Sequence, residues 1–187
     1  MLNDRIEAPW LAAFEQTLGL CGLVAGDSVA ILSETQSRDI LLQLAELALV
    51  RIGCHAFHVR IPTPTSHAPV PVRSTGASKI LQHAGPALSA LAASTLVLDC
   101  TVEGLLHAAE LPQLLKGGAR VLMVSNEHPE ILTRLAPDPA LTPKVKAAAK
   151  LCKQASKMRV TSAAGTDLTI DIEDAPTAGV WGYTERP

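Results

Sequence analysis

The feature that most constrains this chain is a regular succession of short apolar-rich runs separated by helix-length segments. The runs are Ser28-Val-Ala-Ile-Leu-Ser33, Cys54-His-Ala-Phe-His-Val-Arg60, Thr95-Leu-Val-Leu-Asp-Cys100 and Arg120-Val-Leu-Met-Val-Ser125. Each is too short for a helix. The first, third and fourth are near-continuously apolar, which suits a parallel strand buried on both faces better than a half-exposed one. Between the first two, Ser37 to Ile52 sets Ile40, Leu41, Leu44, Leu47 and Ala48 on an amphipathic stripe that stops at Gly53, so strand, helix and strand make a βαβ unit.

The other segments fill the helical layers. Pro9 to Leu23, with Trp10, Phe14 and Leu18 near helical spacing, is expected to be a covering helix. Ala77 to Ala93 reads as a helix broken near Gly85-Pro86, and Leu105 to Leu115 as a short helix ended by Gly117-Gly118. Pro129 to Leu135 and Pro143 to Ser156 supply two more, the last with proline in its first turn. The prolines between Pro62 and Pro71 make that stretch a loop. Met158-Arg-Val-Thr-Ser162 and Asp167-Leu-Thr-Ile-Asp-Ile172 flank Ala163-Ala-Gly-Thr166, a hairpin signature. The expected fold class is therefore α/β: a mostly parallel, doubly wound sheet with a terminal antiparallel hairpin at one edge. Residues 1–172 are expected to form one domain. Residues 173–187 read as a linker without a closing element, as though the chain were cut there.

Aromatics are only 3% of the 187 residues, so the core must be built from Leu, Ala, Val and Ile. Sixteen basic and eighteen acidic residues give a net charge of −2 without a basic stripe, which argues against a nucleic-acid partner. No stretch of about 18 apolar residues occurs, and no basic amino-terminal region precedes an apolar run, so neither a membrane span nor a secretion signal is expected. Cys21, Cys54, Cys100 and Cys152 lie far apart and read as buried free thiols in a reducing cytoplasm.

In an open parallel sheet, ligands bind beyond the carboxyl ends of the strands. That leaves Glu34 to Gln36, the proline loop, Thr101 to His107, and Ser125 to His128. Ser33-Glu-Thr-Gln-Ser-Arg38 contains no glycine, so dinucleotide binding is disfavoured. His55 and His58 have odd separation on a strand and point to opposite faces, so they cannot share an ion. His67 in the loop and His83 in a helix read as surface residues. His128 stands at a rim position that serves equally well as a helix start. His107 follows Leu105-Leu106 just beyond a strand end, where apolar neighbours would keep it partly dry and its imidazole would exchange a proton near neutral pH. By position alone it is either such a base or an ordinary surface histidine.

Leu96-Val-Leu-Asp-Cys-Thr-Val-Glu-Gly-Leu-Leu-His107, Gly117-Gly-Ala-Arg-Val-Leu-Met-Val124, Pro129-Glu-Ile-Leu-Thr-Arg-Leu135 and Ala164-Gly-Thr-Asp-Leu168, in this order and spacing, resemble the amino-terminal domain of the 2,5-dihydroxypyridine 5,6-dioxygenase family. The resemblance covers essentially the whole chain, and that family's fold is related to aminopeptidase T-type metallopeptidases. It implies an enzyme that uses non-haem Fe(II) and O₂ to open the ring of a small dihydroxylated N-heterocycle, in degradation of nicotinate- or picolinate-like compounds. It assigns His107 as the general base that takes a proton from a ring hydroxyl, and Leu106 as a residue lining the substrate pocket. No metal ligand is expected in this chain. The two histidines and one carboxylate of the iron site are expected from a missing carboxy-terminal domain, which would be the chain's partner. The fragment alone is then expected to be inactive, and the full-length enzyme to be a homo-oligomer. Val180 stands where a carboxylate is expected in relatives, which leaves the ring substituents open. The alternatives are an aminopeptidase T-like domain shaping a peptide cleft and a non-catalytic binding module.

Overall fold

The computed structural model describes residues 5–65 and 75–185. These divide into two compact units, one of residues 5–136 with 183–185 and the other of Pro137–Gly182.

In the first unit the apolar runs become strands β1 (Ser28–Glu34), β2 (His55–Ile61), β3 (Leu96–Asp99) and β4 (Arg120–Met123). All three pairings are parallel, in the order β2-β1-β3-β4. Helices α1 (Ala8–Leu20), α2 (Asp39–Ile52), α3 (Gly85–Ala92), α4 (Leu111–Lys116) and α5 (Pro129–Arg134) lie between and around them. The central strands are buried on both faces, and the strand alternation sorts their side chains into two cores. Val29, Ile31, Leu96 and Leu98 pack with Phe14 and Leu18 of α1 and Leu41, Leu44 and Leu49 of α2. Ala30, Leu32 and Val97 pack on the other face with Leu88 and Leu91 of α3 and Leu114 of α4. This is a helix–sheet–helix sandwich, as the apolar runs predict.

α2 ends at Gly53, whose φ of +89° lets its N–H and that of Cys54 turn back to the Leu49 carbonyl at 3.1 and 2.9 Å. Two expected helices are shorter than their sequence pattern suggests. The stretch from Ala77 gives turns, with His83 at a φ of +60°, before α3 begins at Gly85. Likewise Leu105 to Glu110 is a series of turns, and α4 starts only at Leu111. Pro86 and Pro112 both sit in the first turn of their helices, because a proline ring clashes with the carbonyl four residues earlier and so forbids a preceding helical turn. Pro62 to Thr65 is irregular, and the rest of the proline loop, with His67, lies outside the described residues.

The second unit contains a short 3-10 turn at Pro139–Leu141, helix α6 (Thr142–Gln154) and strands β5 (Lys157–Thr161) and β6 (Asp167–Asp171). β5 and β6 form the expected antiparallel hairpin, pairing Met158 with Ile170 and Val160 with Leu168. The hairpin is its own two-stranded sheet and not an edge of the parallel sheet, which corrects the expected addition at one edge. Its ladder is closed by its own turn, where Gly165 N–H donates to the Ser162 carbonyl at 3.1 Å. Lys146 Nζ stands 5.2 Å from the centre of the Trp181 ring.

Candidate functional site

The chain passes from β1 through α2 to β2 on one side, then returns to place β3 on the other side of β1. Connections therefore diverge at the carboxyl ends of β1 and β3, where an open α/β sheet leaves a crevice for ligand. Each strand ends there in a carboxylate, Glu34 and Asp99, with exposures of 2% and 0%. A buried carboxylate must be hydrogen-bonded, and both are. Asp99 Oδ1 accepts from the Thr101 N–H at 3.0 Å and the Thr101 hydroxyl at 2.6 Å, and Oδ2 accepts from the Leu105 N–H at 2.7 Å. Glu34 Oε1 accepts from the Val102 N–H. Burial pushes the Asp99 carboxyl up to about 6, against the lowering effect of the donors from Thr101 and Leu105, and the nearby Glu34 adds to the rise.

These bonds wind the loop after β3 into a fixed turn. The Thr101 hydroxyl also accepts from the Gly104 N–H at 3.1 Å. A second strip of backbone closes over the loop: Gly76 N–H donates to the Glu103 carbonyl at 2.6 Å, Ser78 N–H to the Gly104 carbonyl at 3.0 Å, and His107 N–H to the Gly76 carbonyl. On the β1 side, Ser37 Oγ donates to the Cys100 carbonyl at 2.7 Å and accepts from the Glu34 N–H at 2.8 Å. Beyond it, Arg38 donates to Asn126 through its N–H at 2.9 Å and through Nε at 2.8 Å, which ties the loop after β1 to the loop after β4.

The turn so held directs its three residues differently. Leu105 is fully buried in the core, whereas Leu106 is 53% exposed and His107 is exposed. Leu106 lines a cavity of about 220 Å³ with Leu105, Leu111, Leu115, Val121, Met123 and Thr184. His107 thus sits at the strand-end rim as expected, but in a turn and in contact with solvent, not at a helix start and partly dry.

The other described histidines belong to other segments. His55 and His58 are both exposed on β2, with His58 Nε2 3.7 Å from Glu46 Oε2. His83 is exposed in a turn and not in a helix. His128 caps α5, its Nδ1 accepting from the Glu130 N–H at 3.3 Å and its ring meeting Trp10 edge-on at 5.3 Å. Val180 is exposed in the second unit. Among the described residues no three His, Cys, Asp or Glu side chains gather as a metal site. The sequence pattern puts Glu34 at the strand-end rim but passes over Asp99, although a carboxylate closing an otherwise apolar strand is a visible signal.

A family model described as 2,5-dihydroxypyridine 5,6-dioxygenase matches residues 9–187. A Pseudomonas putida (strain KT2440) protein of the same description is 32% identical over 177 residues, covering 93% of this chain and 49% of its own length. The solved structure of 2,5-dihydroxypyridine dioxygenase from Pseudomonas putida KT2440 superposes with a TM-score of 0.83 at 30% identity, over 98% of this chain and 53% of that one. The chain spans about half the length of these relatives.

Proposed function

Because this chain belongs to the 2,5-dihydroxypyridine 5,6-dioxygenase family, we propose that it forms the part of a ring-opening dioxygenase that presents a proton acceptor, His107, and an apolar contact, Leu106, to a dihydroxylated N-heterocycle. The observation that supports the reading is the anchored turn at the carboxyl end of β3, beside the sheet's switch point, on which Leu106 and His107 are both exposed. A neutral imidazole at that rim accepts the proton of a ring hydroxyl. The ring becomes more electron-rich and so more easily oxidised, and an imidazole is the side chain most often used for such a proton transfer. Leu106 offers the ring a flat apolar surface beside the base, backed by the apolar cavity it lines.

Ferrous iron, held by the full-length enzyme, would supply the redox chemistry of ring opening. The described residues do not fit it, since they offer no set of three ligands, and we assign the ligands to the half of the family's length that this chain does not span. The work of this chain is then binding and proton transfer, next to a carboxy-terminal partner domain. A cytoplasmic location belongs to the same proposal, supported by four unpaired cysteines and by the lack, among the described residues, of a helix long and apolar enough to cross a membrane.

The test is His107→Ala in the full-length enzyme. Ring opening of 2,5-dihydroxypyridine should slow by roughly 10²-fold to 10⁴-fold, the range for one general base, while iron content and folding hold. The acidic limb of the rate profile should vanish with the base. Near-normal turnover with an unchanged profile would remove His107 from the mechanism.

A further inference from the structure

We propose that Asp99 is the positioning residue of this site: a buried carboxylate at the end of β3 that holds the Leu105–His107 turn in the conformation in which His107 faces the substrate. The inference rests on the proton-accepting reading of His107. It adds a residue that touches neither substrate nor metal and acts through backbone.

Asp99 lies at the register position beside Leu32 of β1 and is fully buried, so its carboxylate is fixed by the most rigid part of the sheet. From there its oxygens reach both ends of the loop, the Thr101 N–H and hydroxyl at its start and the Leu105 N–H at 2.7 Å two residues before His107. Other restraints start elsewhere: buried Glu34 of β1 takes the Val102 N–H, and the Gly76 carbonyl takes the His107 N–H. Asp99 therefore joins core to base in one step. The Leu105 side chain, fully buried, closes the same link from the apolar side. Burying a carboxylate costs free energy that an apolar side chain would not, and here that cost is partly offset by three donors that all belong to the loop carrying His107.

Asp99→Asn keeps an acceptor for Thr101 but turns a donor toward the Leu105 N–H. In the full-length enzyme it should lower kcat for ring opening by about 10²-fold, as displacement of a catalytic group by about 1 Å does, with KM little changed. Amide hydrogen exchange at Leu105 and His107 should quicken while that of Leu96 and Leu98 holds. In a His107→Ala background the same substitution should lower kcat further by no more than about 2-fold, because Asp99 acts only through that base. An additive fall, or unchanged exchange at His107, overturns the proposal. If Asp99→Asn fails to fold, Thr101→Val removes the hydroxyl, and with it both the bond to Asp99 and the acceptor of the Gly104 N–H, and must show the same non-additivity with His107→Ala. Should His107→Ala leave ring opening intact, the base assignment fails by itself, and the exchange at Leu105 and His107 still decides whether Asp99 holds the turn.

Discussion

The His107 N–H donates to the carbonyl of Gly76, and Gly76 can accept it because its φ is +73°. A Cβ built on Gly76 would stand 2.9 Å from the Leu106 Cβ and 3.2 Å from His107 Cδ2. Gly76→Ala therefore meets two costs: left-handed backbone strain of roughly 1–2 kcal/mol and a clash with the residues that carry the proposed chemistry. The denaturation midpoint in urea should fall accordingly, with the resonances of Leu106 and His107 shifted most. An alanine variant of unchanged stability and unshifted resonances would show that the closing strip is not needed at this site.

Asp99 makes stability depend on pH in an unusual direction. The unfolded chain releases this proton near the model carboxylate value of about 3.9, whereas the folded chain holds it to about 6. Between these values the folded state binds the proton more tightly. The contribution to stability is thus fully present below about pH 4 and lost as pH rises through about 6, a change of about 3 kcal/mol for the gap between the two values. Asp99→Asn lacks this term. The stability of the unsubstituted protein relative to the variant should therefore decline from pH 4 to pH 7 in urea denaturation. Parallel curves over that range would show that Asp99 titrates as it does in the unfolded chain.

Thiol reactivity should separate Cys152 from the rest. Cys152 is exposed on α6, against the burial expected of all four cysteines, while Cys21, Cys54 and Cys100 are buried. Burial raises the last three thiols above their ordinary value, Cys100 most of all, with the Asp99 charge beside it adding to the effect. In the native protein an aromatic disulfide reagent should titrate one of the four cysteines rapidly and the others only after unfolding. Two or more fast equivalents would contradict the packing around β1 and β3.

The parts of this molecule that were legible in sequence are those set by local pattern. β1 and β3 show as apolar runs because both faces of a central parallel strand are buried, and α2 shows as a stripe because one face alone meets the sheet. The shortened α4 was legible too, had Pro112 been given its full weight against the apolar spacing from Leu105. The site was legible only in part. His107 and Leu106 were found through rim position and family resemblance, but the bonds that hold them are not local: Glu34 reaches Val102, 68 residues away. No periodicity carries such a contact. The hairpin's independence from the parallel sheet was equally hidden, since Met158–Thr161 alternates in the same way whether β5 pairs with one strand or two.

The strand order also sets a sequence of events in assembly. β1 meets β2 from Ser28 to His55, but meets β3 only from Val29 to Leu96, far later in the chain. Closing the longer loop costs more chain entropy, so the β1–α2–β2 unit has the shorter route to form, and β3 must then dock on an edge already made. Pulse-labelled exchange should protect the amides of Leu41 to Leu49 before those of Leu96 to Leu98, and simultaneous protection would refute this order. A nascent chain that has emerged only as far as Ile61 can fold a strand pair with Glu34 at its tip, yet that carboxylate has no Val102 to accept from until β3 arrives. The reactive turn thus forms only once β3 has docked, after the β1–α2–β2 unit, and a chain stalled before it would hold an acid group at an open sheet edge, a natural mark of incompleteness.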